Sequence, residues 1–200
     1  MIKISKFKKY YKNNLILDIN EFCFIKNKSY LIVGTNGSGK STLIKCIMGI
    51  NQPTLGEIIV KTKNIAYIPE KYYYPEFCTI NQFLKSILGL YNLEHNVYLI
   101  DYYCVRLNID KNKIISKLSK GMQQKVLIIQ ALIHNADLFI FDEPLNGLDN
   151  QSQKIFFEII NEIKENNKTL IITTHYPSLY KNSYDFYVTI NNKGLFCESI

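Results

Sequence analysis

The sequence predicts an α/β layered fold with a largely parallel central sheet. Three observations carry this. Short apolar strand patterns alternate with helical patterns along the 200-residue chain. A buried strand, "SYLIV", runs into a glycine-rich turn and then a helix. A second apolar strand, "LFIFDEP", ends in two adjacent carboxylates. The length fits one domain with room for a subdomain, and a 47% hydrophobic fraction suffices for a substantial core.

Taken in order, residues 2–25 hold short alternating or apolar runs, "LILDINEFCFI" among them, and read as strands. "SYLIV" is the next strand, and "STLIKCIMGI" follows as a helix. Pro53 and Gly56 in "QPTLGE" break that helix, and "NIAYIPE" reads as another strand. Thr79 and Gln82 have capping-box spacing ahead of the helix "FLKSILGLY". Residues 94–109 also carry a helical pattern. Helix "MQQKVLIIQALI" leads to strand "DLFIFDEP". Ile155, Phe156, Ile159, Ile160 and Ile163 mark one face of a further helix, which "NNK" ends before strand "TLIITT". The tail "DFYVTINNKGLFCE" reads as a hairpin turning at residues 191–194.

The net charge of +7 and pI near 9.0 would suit an anionic partner. The lysines are nevertheless spread along the chain rather than gathered in one stripe, so nucleic acid is not an expected partner. Cys23, Cys46, Cys78, Cys104 and Cys197 show no C-x-x-C or zinc-ligand spacing. They read as buried small apolar residues in a reducing compartment. No apolar run approaches the roughly 18 residues needed to cross a bilayer. The basic N-terminus "MIKISKFKKYYKNN" lacks the apolar stretch of a secretory signal. The expected location is the cytosol, unless a partner holds the chain at a membrane.

"GTNGSGKST" satisfies G-x-x-x-x-G-K-[ST] between a strand and an amphipathic helix, the context that pattern needs. It comprises Gly34, Thr35, Asn36, Gly37, Ser38, Gly39, Lys40, Ser41 and Thr42. Its glycines let backbone N–H groups turn inward around phosphate oxygens, and the helix aims its positive N-terminus at the same anion. Lys40 supplies a point charge to the β- and γ-phosphates, and Ser41 can ligate Mg²⁺. Against this stands a plain glycine-rich turn with a chance lysine, which the flanking strand and helix disfavour.

Charges at the end of an apolar strand are costly unless they have a task. Asp142 is placed to bind the metal directly or through a water, and Glu143 is the natural base for an attacking water. A strand simply meeting solvent would explain the acids alone, but not their company with a phosphate loop. His175 follows "TLIITT". A lone histidine there is more often structural; near the phosphates it would hold the water and Glu143 in line.

Together these residues resemble the ATP-binding-cassette (ABC) ATPases, in the family's motif order and over nearly the whole chain. "GTNGSGKST" resembles Walker A and "LFIFDE" Walker B. "LNGLD", ending at Asp149, resembles the D-loop, and "THY" the switch histidine. "LSKGMQQK" is similar to the LSGGQ signature, with Lys120 and Met122 as departures. Tyr11 matches the aromatic that stacks on adenine, although neighbouring Tyr10 could be the true one. Glu70 stands where the family has its Q-loop glutamine. A carboxylate there can help hold Mg²⁺ but adds negative charge beside the γ-phosphate.

The resemblance implies a P-loop NTPase of ABC type over residues 1–200. It would have a mostly parallel central sheet, an N-terminal antiparallel β subdomain and a small helical subdomain near residues 72–133. It also implies head-to-tail dimerisation with a second ABC ATPase chain, identical or not. Ser119 and Gly121 would then meet the γ-phosphate bound by the other subunit. The implied function is ATP hydrolysis with Mg²⁺ that powers a separate integral membrane permease, with the chain peripheral on the cytoplasmic face. The compactness of the cassette resembles small exporters, so export is the expected direction. The alternative is a soluble ABC ATPase without a permease, such as an iron–sulfur assembly ATPase. Tyr72, Tyr73, Tyr74 and Phe77 around Pro75 form either a permease dock or a satellite core.

Overall fold

The computed structural model describes residues 1–181 and 183–199. Among the described residues, two sheets and five α-helices follow the expected alternation. Strands β1 (Ile2–Tyr11), β2 (Asn14–Phe24) and β4 (Leu55–Val60) form an antiparallel sheet in the order β2-β1-β4. The larger sheet has six strands in the order β5-β6-β7-β3-β8-β9. Its strands are β3 (Ser29–Val33), β5 (Ile65–Ile68), β6 (Leu138–Asp142), β7 (Thr169–Thr174), β8 (Phe186–Asn191) and β9 (Gly194–Ser199). All neighbours in it pair parallel except β8 and β9, the expected terminal hairpin.

Residues of β3, β6 and β7 are almost continuously buried because helices cover one face of this sheet and α1 with the small sheet covers the other. Adjacent residues therefore serve opposite cores. Leu31 joins the cluster facing the long helices, and Ile32 joins the cluster beneath the antiparallel sheet. Each fully buried Leu or Ile contributes about 1.5–3 kcal/mol of transfer free energy.

Helix α1 (Lys40–Ile47) follows the phosphate loop. Helices α2 (Ile80–Leu90), α3 (Val97–Arg106) and α4 (Lys120–Leu132) touch one another. Helix α5 (Asn150–Glu165) packs on β7. The capping box at α2 is present in full: the Thr79 hydroxyl accepts from the Gln82 amide, and the Thr79 amide donates to the Gln82 side chain.

Three readings are corrected. Residues 55–60 form strand β4, where the sequence pattern showed only a break after α1. Its residues are mostly exposed or half-buried with no clean alternation, so the period-2 signal is missing. Gly56 makes the strand fit, since its φ is 74° and a Cβ would lie 2.1 Å from the Lys6 carbonyl oxygen. In β1, Ile2, Ile4 and then Phe7 face inward. The alternation changes phase at Lys6, whose φ is 49°. The cysteines divide: Cys46 and Cys104 are buried, whereas Cys23 and Cys197 are exposed at the surface of edge strands.

Candidate functional site

Strand order brings the three chemical segments together. In the sequence β6 and β7 lie far from β3, yet in the sheet β7 sits between β6 and β3. All three run parallel, so their C-terminal ends share one edge, where open α/β sheets bind ligands. The phosphate loop leaves β3, Asp142 and Glu143 end β6, and His175 follows β7.

The loop is built for an anion. Gly39 is the N-cap of α1 with φ 107° and offers no side-chain cap, and the first turn holds no acid. The leading N–H groups of α1 are therefore left for a ligand. A Cβ on Gly39 would lie 2.9 Å from Leu17 Cδ2, so a side chain there would push β2 away. Lys40 is only 7% exposed, and its Nζ donates to the carbonyls of Gly34 at 2.7 Å and Thr35 at 3.2 Å. The ammonium thus spans its own loop without a carboxylate partner among the described residues. Ser38 Oγ is buried with no protein partner, which suits an added oxygen ligand.

Asp142 is 2% exposed, and its Oδ1 accepts from the Thr173 hydroxyl of the neighbouring strand. The Glu143 amide donates to the Thr173 carbonyl at 3.2 Å. Glu143 itself adopts φ 52°, a left-handed backbone that non-glycine residues rarely take and that concentrates at functional sites. His175 Nδ1 lies 2.8 Å from Glu143 Oε1, close but off the line of a hydrogen bond. Tyr11, Ile16, Glu70, Asp142, Glu143 and His175 line one cleft of about 390 Å³ with Asn36, Gly37, Ser38, Gly39, Lys40, Ser41 and Thr42. Between Tyr10 and Tyr11, the cleft is lined by Tyr11.

The model of the family described as ABC transporter matches residues 17–146. The chain belongs to the ABC transporter family, as an ATP-binding subunit. Two curated relatives fit this. The zinc import ATP-binding protein ZnuC of Rickettsia conorii is 35% identical over 195 residues, which is 96% of this chain and 79% of that protein. A probable iron chelatin transport ATP-binding protein of Helicobacter pylori is 31% identical over 212 positions, covering 94% and 83%. A solved ATP-binding subunit of an ABC transporter superposes with TM-score 0.92 at 25% identity, covering 100% of this chain and 90% of its own. A dimeric ATP-binding cassette bound to ADP and Pi after hydrolysis shares the fold, with TM-score 0.87 at 20% identity, covering 100% and 98%.

Five expected nucleotide residues of this ABC ATPase do not line the cleft: Gly34 and Thr35, whose carbonyls accept from Lys40 Nζ, and Ser119, Gly121 and Asp149. Ser119 caps α4, with its hydroxyl accepting from the Met122 amide at 3.3 Å. Gly121 packs so tightly on the loop after β6 that a Cβ would lie 2.4 Å from the Gly147 carbonyl oxygen. Asp149 caps α5, accepts from the Ser152 amide at 2.8 Å, and lies 3.6 Å from Lys125 Nζ. The Ser152 amide, then its hydroxyl, and Lys125 hold the Asp149 carboxyl below the ordinary carboxylate range. Two site residues had no usable sequence signal. Ile16 reaches the cleft because the β1–β2 pairing skips it, moving from Lys9↔Leu17 to Tyr10↔Leu15. Thr173 is one of many strand threonines until β7 is seen beside β6.

Proposed function

We propose that this chain is the ATP-hydrolysing subunit of an importer for a metal ion or metal chelate, powering a separate membrane permease. The observation that carries the hydrolytic reading is the convergence of phosphate loop, Asp142, Glu143 and His175 on one cleft. Direction rests on the relatives, which are named for zinc import and iron chelatin transport. Import therefore replaces the export expected from compactness alone, because the size of a cassette carries no information about the path through its permease. The same transport names leave the soluble iron–sulfur alternative without support.

In this reading Lys40 and the amides at the start of α1 hold the β- and γ-phosphates. The cleft offers hard oxygen donors in Ser41, Asp142 and Glu70, which would hold Mg²⁺; when bound, Mg²⁺ neutralises phosphate charge. Glu143 takes a proton from water as its oxygen attacks the γ-phosphorus. The bond to the β,γ-bridging oxygen breaks, and ADP and inorganic phosphate leave. His175, against Glu143, orients that carboxylate. Tyr11 stacks on the base.

Ser119, Gly121 and Asp149 lie outside the cleft of their own chain, which supports their use at the nucleotide of a second chain in a head-to-tail dimer. The chain is read as one domain, 1–200, with a helical subdomain near 72–133. Among the described residues no helix is long and apolar enough to cross a membrane. A peripheral position on the cytoplasmic face follows if a permease docks at the exposed Tyr73 and Phe77. Glu70 lines both the nucleotide cleft and the hollow beside Tyr72, Tyr73 and Tyr74, so one segment would join dock to site.

Lys40→Ala tests the core of the reading. Titration calorimetry should show ATP binding lost while circular dichroism is unchanged. Wild-type ATP affinity in the folded variant would overturn it.

A further inference from the structure

We infer that Lys9 and Asn51 are positioning residues that hold the Tyr11 ring as a platform for the nucleotide base. The inference rests on the nucleotide reading above and adds to it the groups that decide how well the base is held.

Tyr11 ends β1 and is 47% exposed. A tyrosine that free at the rim of a cleft would sample several rotamers, and stacking a base on it would carry an ordering cost. Two contacts restrain it. Asn51 Nδ2 donates to the Tyr11 hydroxyl at 2.9 Å. Lys9, two residues earlier and so on the same face of the strand, sets its Nζ over the ring, 5.4 Å from the centroid. A ring engaged by a cation on one face keeps the other for a planar ligand. The hydroxyl anchor limits sideways swing of the ring, and the cation over one face disfavours its rotation.

Both restraints are themselves tied down. The Asn51 amide donates to the Lys45 carbonyl at 3.0 Å, at the end of α1. Lys9 Nζ also donates to the Gln52 carbonyl at 2.6 Å. The Tyr10 amide donates to Thr54 Oγ1 at 3.1 Å, and the Thr54 amide to the Lys8 carbonyl at 2.9 Å. Residues 51–54 are thus fastened along the end of β1. Helix α1 starts at the phosphate loop and leads into this segment, so one element about 12 Å long carries both ends of the nucleotide site. The pairing irregularity that exposes Ile16 to the cleft lies at Lys9 and Tyr10, where β1 must turn its last side chains to the ligand.

Calorimetry on the full chain with two probes, ATP and inorganic tripolyphosphate, tests this. Asn51→Ala, Tyr11→Phe and Lys9→Met should each raise the Kd for ATP about 3- to 10-fold. Their Kd for tripolyphosphate, which has no base, should stay at the wild-type value, as should their thermal midpoints. Asn51→Ala and Tyr11→Phe remove the same bond, so the double variant should bind ATP no more weakly than either single one. Lys9→Arg should restore wild-type affinity. Equal weakening toward both probes would mean that the residues shape the loop, and would overturn the platform. Unchanged ATP affinity, or additive effects of Asn51→Ala and Tyr11→Phe, would overturn it too. Failure of the wild type to bind either probe would remove the nucleotide reading itself.

Discussion

Glu143 carries the central step of the proposed chemistry. Its left-handed backbone stores on the order of 1–3 kcal/mol, held by the Thr173 carbonyl on its amide and the Asn146 amide on its carbonyl. That conformation presents the carboxylate to His175 and the cleft. Glu143→Gln keeps shape but cannot take a proton. Phosphate release should fall by about 10²–10⁴ while ATP still binds. A wild-type rate would assign the base elsewhere. Lys40, Asp142 and Glu143 were legible as candidates because motif chemistry is local, each proposed role resting on neighbours within a few residues. The choice of Tyr11 over Tyr10 was not legible, because it depends on which side chain the irregular β1–β2 pairing turns to the cleft.

Among the elements, α5 owes its start to Asp149. Its carboxyl is held below the ordinary value of 3.8, so its contribution is complete above that value and is lost as pH falls through the depressed folded value. Asp149→Ala should lose about 1 kcal/mol in urea unfolding of the isolated chain at pH 7. The gap between variant and wild type should shrink at pH 3 and below. A gap that is constant with pH would assign the loss to packing. The aromatic segment before α2 divides in two. Tyr72 and Tyr74 pack edge-on against each other and against Phe83, and the Tyr74 hydroxyl donates to the Gln123 carbonyl at 2.6 Å. Burial pushes the Tyr74 phenol far above its usual range. Tyr73 and Phe77 are 94% exposed. The satellite-core reading therefore holds for one pair, and the docking reading keeps the other. Tyr74→Ala should destabilise the isolated chain by roughly 2 kcal/mol or more. Phe77→Ala should leave thermal midpoint and ATP affinity unchanged and weaken capture by permease-containing membranes. Unchanged capture would end the docking proposal.

At the scale of the whole molecule, Ser119, Gly121 and Asp149 do not line the cleft, and on the proposed head-to-tail arrangement a second chain supplies them. Ser119→Arg should still bind ATP as a single chain but fail to associate on a sizing column. Mixed with Lys40→Ala, it should recover ATP-driven association, because one composite site keeps an intact phosphate loop from one chain and an intact signature from the other. Mixing without any recovery would argue against the head-to-tail arrangement.

Features that depend on near neighbours were readable along the chain. The phosphate loop between strand and helix, the capping box at Thr79, the helical face of α5 and the terminal hairpin are all set by spacing over a few residues. The tertiary structure alone decided that β7 lies between β6 and β3, which brings the ends of three distant segments to one cleft. It alone decided that β4 completes the small sheet despite exposed side chains, that Ile16 is left unpaired toward the cleft, and that Cys23 and Cys197 face outward. Strand order, phase changes in pairing and exposure are set by which distant surfaces bury one another, and hydrophobic burial carries no record in the sequence of the partner that will supply it.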